Sequence, residues 1–391
     1  MMKNWGLRTR LVHGGTQRSQ HGETSEALYL TSGFVYERAA DAEARFAERE
    51  EGFTYSRVGN PTLRMLEQRI ALLEGCEEAA TAATGMAAVH ASLMCQLRAG
   101  MRVVGSSLLF GSCHWILSEL LPRFGIETEL VDGTDLEAWG RALAKPTDLV
   151  FLESPGNPTL ELVDIGAVCE LAHRAGAKVV VDNVFATPIL QQPMQLGADI
   201  VVYSATKHID GQGRCLGGLI LCDAAFRKDK LAPYLRNTGP SMSPFNGWVL
   251  LKGLETLDLR VNAQVENTGT VAAALEEMAG VTRVLYPGLA SHPQHELAKR
   301  QMRAGGTILA FRVGQGRERA FTVLDRLKLI KISNNLGDAK SLITHPSSTT
   351  HSKIAAAERE RLGITEDLLR LSVGLEDSPD LIEDLAQALR P

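Results

Sequence analysis

Lys207 stands in YSATKHIDGQGR, residues 203–214, just beyond the apolar run Ile200-Val201-Val202 and between two hydroxyls and a string of glycines. A cation at the end of a buried strand costs several kcal/mol unless something compensates it. One compensation is chemical. A lysine amine that condenses with an aldehyde carries its positive charge only as a stabilised iminium. A single lysine is most often merely solvated, so the neighbours must decide. Ser204 and Thr206 offer hydroxyls beside it, and the glycines at 211, 213, 217 and 218 let another group come close to the backbone. Together these residues suit an anionic ligand. An aldehyde with an anionic arm is pyridoxal 5'-phosphate, which also needs a carboxylate to keep its ring nitrogen protonated. Asp182, closing VVVDN, is placed to supply it, although alone it would read equally well as a cap or turn residue. The phosphate needs a cradle, and TAATGMAAVHASL puts Gly85 and Met86 at a helix start, where free N–H groups and the macrodipole favour an anion. Small residues also open helices simply to pack tightly; co-occurrence with the lysine motif gives the stretch its weight.

Other chemistries fit less well. GQGRCLGG has GxGxxxG spacing and runs into the strand-like LILC, so it lacks the helix that a dinucleotide fingerprint requires. The six cysteines, at 76, 95, 113, 169, 215 and 222, form no CxxC pair and read as reduced core thiols. His345 and His351 in THPSSTTHS share no helix face and no carboxylate cluster, so no metal is expected and the segment reads as a loop near a substrate entrance. A nucleotide-binding or regulatory α/β module without covalent cofactor is the rival from another class. A colourless protein with no borohydride-trapped adduct on Lys207 would identify it.

The elements that must hold these residues follow from periodicity. At 391 residues, 45% apolar and 22% charged, the chain is long enough for two or three domains with their own cores. MRVVGS, IETELVD, TDLVFLES, AKVVVDN, ADIVVYS and GGLILCD read as strands, mostly separated by helical stretches such as LVDIGAVCELAHRAG. Such alternation predicts a mostly parallel sheet covered on both faces, with ligands at the carboxyl ends of its strands. Glu153, Asp182, Ser204 and Lys207 all fall there. LRMLEQRIALLEG predicts a helix burying Leu63, Leu66, Ile70 and Leu73 and stopping at Gly75. Residues 1–55 read as a polar arm with an exposed helix in DAEARFAEREEG, of the kind a partner subunit often holds. Residues 56–250 read as the α/β domain, and 251–391 as a smaller α+β domain opening on one long helical stretch. The net charge of −5 argues against nucleic acid or anionic lipid as partner and favours a small-molecule ligand. With no signal-peptide or membrane-spanning run, a cytoplasmic location is expected.

Taken together, these stretches resemble the Cys/Met-metabolism family of pyridoxal-phosphate enzymes, from YSRVGNPT at 55–62 to LSVGLED at 371–377. The resemblance implies the aspartate aminotransferase-like fold of type I pyridoxal-phosphate transferases. It implies that Tyr55 and Arg57 reach the cofactor phosphate of a partner subunit, in a homodimer that the family usually pairs into a homotetramer. Gly85 and Met86 match the backbone phosphate site, Ser204 and Thr206 its hydroxyl ligands, Asn157 of ESPGNP the neighbour of the phenolic oxygen, and Lys207 the imine-forming lysine. Asp182 matches the pyridinium partner. Many relatives stack a tyrosine on the ring; LFGSCHW here puts Phe110 in that position, which can stack but cannot exchange a proton. His208, where an aromatic residue is usual, reads as a packing variation. SNNLGDAKSL and LLRLSVGLE are similar to substrate-carboxylate segments, implying that Arg370 holds the α-carboxylate as a bidentate fork with Asn335 beside it. Within the family, TKHIDGQGR resembles the O-succinylhomoserine sulfhydrylase branch. That implies γ-replacement of succinate by hydrogen sulfide to give L-homocysteine, a step of methionine biosynthesis. Cystathionine γ-synthase, γ-lyase and O-acetylhomoserine sulfhydrylase chemistries are the alternatives.

Overall fold

A computed structural model describes residues 5–391. Seven strands form the larger sheet: β1 (Glu78–Ala82), β2 (Arg102–Ser106), β3 (Glu127–Val131), β4 (Leu149–Glu153), β5 (Lys178–Asp182), β6 (Ile200–Ser204) and β7 (Gly218–Cys222), in the order β1-β7-β6-β5-β4-β2-β3. The six strands read from the sequence are all present. β1 was not read, because EAATA is mostly alanine, with Thr81 as its one β-branched residue, and so lacks the apolar branched run that marks a strand. The sheet is parallel from β3 to β6, whereas β7 runs antiparallel to both its neighbours. The reason is the connection: β6 passes to β7 through a loop that carries Lys207, with no crossover helix to bring the chain back to its starting edge.

Successive side chains of a strand face opposite ways, and here both faces are covered. Val150, Leu152, Val179, Val181 and Val201 enter one core, while Leu149, Phe151, Val180, Ile200 and Val202 enter the other. This explains the unbroken apolar runs. Each run ends where the strand emerges from between its helix layers, so the first polar side chains, Glu153, Asp182 and Ser204, sit together at one edge. The helix Pro61–Glu74 buries Leu63, Leu66, Ile70 and Leu73, is capped by the Asn60 side chain, and ends on Gly75 at φ 80°.

A second sheet follows: β8 (Arg283–Leu285), β9 (Ile308–Arg312), β10 (Lys331–Ile332), β11 (Leu342–Thr344) and β12 (Leu368–Ser372), ordered β10-β11-β12-β9-β8. The stretch read as one long helix is two, Pro244–Glu255 and Leu257–Glu277, interrupted at Thr256. The first packs on Pro61–Glu74. The second starts in the large core with Leu257 and Val261 and ends in the small one with Val271 and Leu275. A smaller apolar cluster joins Leu108, Leu160 and Phe185 to Ile308, Ala310, Leu336 and Leu368, so both sheets share a wall.

Residues 14–26 are fastened to the helix Pro61–Glu74. Arg69, fully buried, donates to the Gly14 carbonyl, Thr16 and Glu26. Burial pushes the Glu26 carboxyl up, but the Arg69 hydrogen bond and charge prevail and hold it at about 2. The apolar exposure comes later in the segment, at Leu30, Val35 and Phe46. The expected helix there is Ala39–Phe46, with no buried residue.

Glu74 makes the fold itself pH-sensitive. It is fully buried, accepts from Tyr203 Oη at 2.6 Å, and burial pushes its carboxyl up to about 8. The folded state therefore holds this proton more tightly than the unfolded chain, whose ordinary value is 4.5. Its stabilisation is complete below pH 4.5 and is lost as pH rises toward 8, at about 1.4 kcal/mol per unit. Glu74→Gln keeps an acceptor for Tyr203 and cannot ionise. Thermal unfolding should show the variant gaining on the parent by a few °C between pH 6 and pH 8, and parallel Tm curves would refute this account.

Candidate active site

A cavity opens at the polar edge of the large sheet, where Arg370 of the second sheet and the loop residues Asn334, Leu336 and Thr350 close over it. It brings together Gly85, Met86, Phe110, Asn157, Asp182, Ser204, Thr206, Lys207 and Arg370. Nine of the twelve residues singled out in the sequence thus line one space. Tyr55 and Arg57 do not; Tyr55 is largely exposed, with the Arg57 guanidinium 5.6 Å from its ring, and Arg57 donates to the Arg236 carbonyl. Asn335 sits behind Lys207.

The helix Gly85–Met94 aims its first turn at the cavity. The Thr84 side chain caps it by accepting from Ala87 N, and the N–H groups of Gly85 and Met86 lie in the turn that has no intrahelical carbonyl to use. Gly85 is compelled by contact, since a Cβ there would lie 2.6 Å from that of Ser204. The glycines after Lys207 are also compelled, but by the protein. A Cβ at 218 would strike the Thr84 carbonyl at 2.0 Å, at 217 the Leu250 side chain at 2.6 Å, and at 211 the Arg260 guanidinium at 1.8 Å, while at 213 it would meet Asp338 at 2.8 Å. The expectation that these glycines admit a ligand is therefore corrected. What approaches them is neighbouring chain, which locks the Lys207 turn in place. Arg260 completes that lock by donating to the carbonyls of His208, Ile209 and Gly253. Thr206, which lines the cavity, accepts at Oγ1 from Gly217 N at 3.1 Å and has the Gly217 carbonyl as a long acceptor at 3.4 Å.

Lys207 Nζ donates to Asn335 Oδ1 at 2.6 Å and forms no ion pair with a carboxylate among the described residues. Burial, reinforced by the charge of Arg370, brings the amine down to about 8. Arg370, in the middle of β12 and 2% exposed, donates from Nη1 to Asn157 Oδ1 at 3.0 Å and from Nη2 to the Asn334 carbonyl at 2.9 Å. Both acceptors are neutral, and its buried Nε has no partner among the described residues. Burial lowers this guanidinium to about 10. The sequence placed Asn335 beside Arg370. In the structure Asn335 serves Lys207, and Asn334 serves the arginine.

Asp182 is buried, accepts from Val184 N at 3.1 Å, and is pushed by burial to about 7. An adjacent cation would return it to the charged form. His208 bonds Thr307 Oγ1 at 2.6 Å, is forced down to about 3 mainly by burial, and does not line the cavity. His351 bonds the Asn157 carbonyl at 3.1 Å, so its loop does border the site, with Thr350 on the wall. Glu153, Asn334, Thr350 and Phe185 were given no role from sequence. For Glu153 there was a signal, because TDLVFLES ends in an acid just as VVVDN does.

The arrangement offers an anion seat at a helix N-terminus, a cavity-lining amine that is readily neutral, a buried carboxyl suited to a cationic partner, and a buried guanidinium suited to a carboxylate.

The family model for "Cys/Met metabolism PLP-dependent enzyme" matches residues 8–390. The chain is 54% identical over 382 residues to the O-succinylhomoserine sulfhydrylase of Mycobacterium tuberculosis, covering 97% of this chain and 94% of that protein. It is 46% identical over 381 residues to the O-succinylhomoserine sulfhydrylase of Pseudomonas aeruginosa, with the same coverage. The fold is similar, at TM-score 0.94 and 33% identity, covering 98% of this chain and 100% of the other, to a putative O-acetylhomoserine (thiol)-lyase of Campylobacter jejuni solved with N'-pyridoxyl-lysine-5'-monophosphate.

Proposed function

The chain belongs to the Cys/Met-metabolism family of pyridoxal-phosphate-dependent enzymes, and from that premise we propose that it is an O-succinylhomoserine sulfhydrylase. It exchanges the succinyloxy group on Cγ of O-succinyl-L-homoserine for hydrosulfide, releasing L-homocysteine and succinate. The observation that carries an amino-acid substrate is the pairing of Lys207 with Arg370: an amine without a carboxylate partner beside a buried guanidinium bonded only to neutral oxygens. The choice of the succinyl ester and sulfide rests on the relatives at 54% and 46% identity.

The cavity fits the family's cofactor. Gly85, Met86, Ser204 and Thr206 would hold its phosphate, Asp182 its ring nitrogen, Asn157 its phenolic oxygen and Lys207 its aldehyde carbon, with Phe110 against the ring face. When bound, pyridoxal phosphate supplies an electron sink that acidifies the substrate Cα–H. Arg370 binds the substrate α-carboxylate through its fork, a geometry an ammonium cannot match. Lys207 Nζ, freed from its resting attachment, takes the proton from Cα and carries protons to and from Cβ while succinate leaves and hydrosulfide adds at Cγ. It must be neutral for this, which burial and Arg370 favour. Asn335 Oδ1 orients the amine by accepting one of its protons. Phe110 contributes shape and no proton transfer, which leaves Lys207 as the acid–base group.

Tyr55 and Arg57, exposed here, act in this reading on a partner subunit's cofactor phosphate, within a homodimer that pairs into a tetramer. The apolar exposure at Leu30, Val35 and Phe46 supports such an interface. The division into arm 1–55, cofactor domain 56–250 and C-terminal domain 251–391 belongs to the same reading. A cytoplasmic location suits its six free cysteines.

The test is a product assay. Succinyl, acetyl and phospho esters of homoserine are each offered with sulfide and with cysteine. The expected result is that the succinyl ester with sulfide has the highest kcat/KM, by about tenfold or more, with homocysteine as product. Cystathionine as the preferred product, or a preference for the acetyl ester, would overturn the assignment while leaving the family intact.

A further inference from the structure

Glu153 closes β4 as Asp182 closes β5, and the two are partners in register across the parallel pair. Both line the cavity and both are buried, at 3% and 7% exposure. Two carboxylates so placed cannot both ionise in a dry site; one must keep a proton. Each accepts one backbone N–H: Glu153 Oε2 from Phe110 at 2.6 Å, and Asp182 Oδ1 from Val184 at 3.1 Å. The first of these bonds anchors the chain at the residue whose ring enters the cavity.

We propose that Glu153 is a positioning residue of the cofactor cavity: its carboxyl keeps the proton of the buried pair, leaving Asp182 as the single anion, and its Oε2 pins the backbone that presents Phe110. The charged and titratable groups facing it are Asp182 from β5, Arg370 from β12 and Cys113 from the short helix Gly111–Trp115. Burial and the neighbouring Asp182 push the Glu153 carboxyl well up, and the Phe110 N–H and Arg370 recover only part of that. Cys113 adds no charge, because burial foremost, then Asp182 and Glu153, keeps its thiol protonated. A second anion would compete with Asp182 for the cofactor's ring nitrogen, whereas a neutral carboxyl can brace the wall without competing.

This inference rests on the cofactor, not on the choice of ester or nucleophile. Its test uses the full-length protein stripped of cofactor and titrated with pyridoxal 5'-phosphate, reading affinity by fluorescence and the pH dependence of the bound absorption band. Glu153→Gln keeps an acceptor for Phe110 and mimics a protonated carboxyl, so affinity should stay within about threefold and the pH midpoint should not move. Glu153→Met fills the space without an acceptor and should weaken binding about tenfold or more. A midpoint shifted by a whole pH unit in Glu153→Gln would show that Glu153 carries charge and would overturn the proposal, as would Glu153→Met binding as tightly as Glu153→Gln. If Glu153→Met does not fold, the midpoint in Glu153→Gln decides alone. A parent protein that bound no pyridoxal 5'-phosphate would instead defeat the cofactor reading itself.

Discussion

Lys207→Ala should lower kcat by roughly 10²- to 10⁴-fold, the span over which a positioned acid–base side chain contributes, and leave the fold unharmed. The residue donates a single hydrogen bond, to Asn335, and its amine is already displaced to about 8, chiefly by burial. Removing it relieves a desolvated cation, so Tm should hold or rise. Two further readouts separate a proton carrier from a merely structural lysine. The parent's rate should climb with pH toward about 8 as the amine loses its proton, and this limb should vanish in the variant. Added methylamine, small enough to enter the space left behind, should restore part of the rate. Lys207→Arg should be as inactive as alanine, since a guanidinium stays protonated. An alanine variant that kept a tenth of the parent's kcat would end the proposed mechanism.

Arg370→Lys should cost about 3–4 kcal/mol in kcat/KM, roughly 10²- to 10³-fold, mostly as a raised KM. The cost arises because an ammonium cannot replace a fork that donates to Asn157 and the Asn334 carbonyl with Nε to spare. The companion variant is more diagnostic. Arg370 is buried with no anion in hydrogen-bonding contact, and burial alone pulls its guanidinium down to about 10. Such a cation destabilises the empty protein, so Arg370→Leu should abolish activity while Tm stays level or increases. Unfolding of Arg370→Leu by several °C below the parent would mark this residue as a structural clamp rather than a carboxylate seat. The protein thus keeps an unfavourable charge in its core, which is reasonable only where a ligand completes the pair.

The two charged groups differ in how legible they were. Arg370 interrupts an apolar strand, LLRLS, and that misfit is local, visible without any partner. The same holds for Asp182, Ser204 and Glu153. A strand buried on both faces must read as an apolar run, so the first polar residue after the run marks the edge where ligands collect. The helix of Leu63, Leu66, Ile70 and Leu73 was equally readable, because 3.6-residue spacing and a left-handed glycine stop are properties of a dozen neighbouring residues.

What the chain alone settled was therefore local: the alternation of elements, the strand ends, and the motif order that marks the family. Only the tertiary structure decided who meets whom. Asn157 and Arg370 are 213 residues apart, Lys207 and Asn335 are 128 apart, and Phe110 and Glu153 are 43 apart. Periodicity carries no information about such pairs, because it reports which face of an element is covered and not what covers it. The same limit explains the glycines after Lys207, read as room for a ligand and found holding off Thr84, Leu250 and Arg260. A missing side chain can be seen in the sequence; the neighbour that requires its absence exists only once the chain has folded.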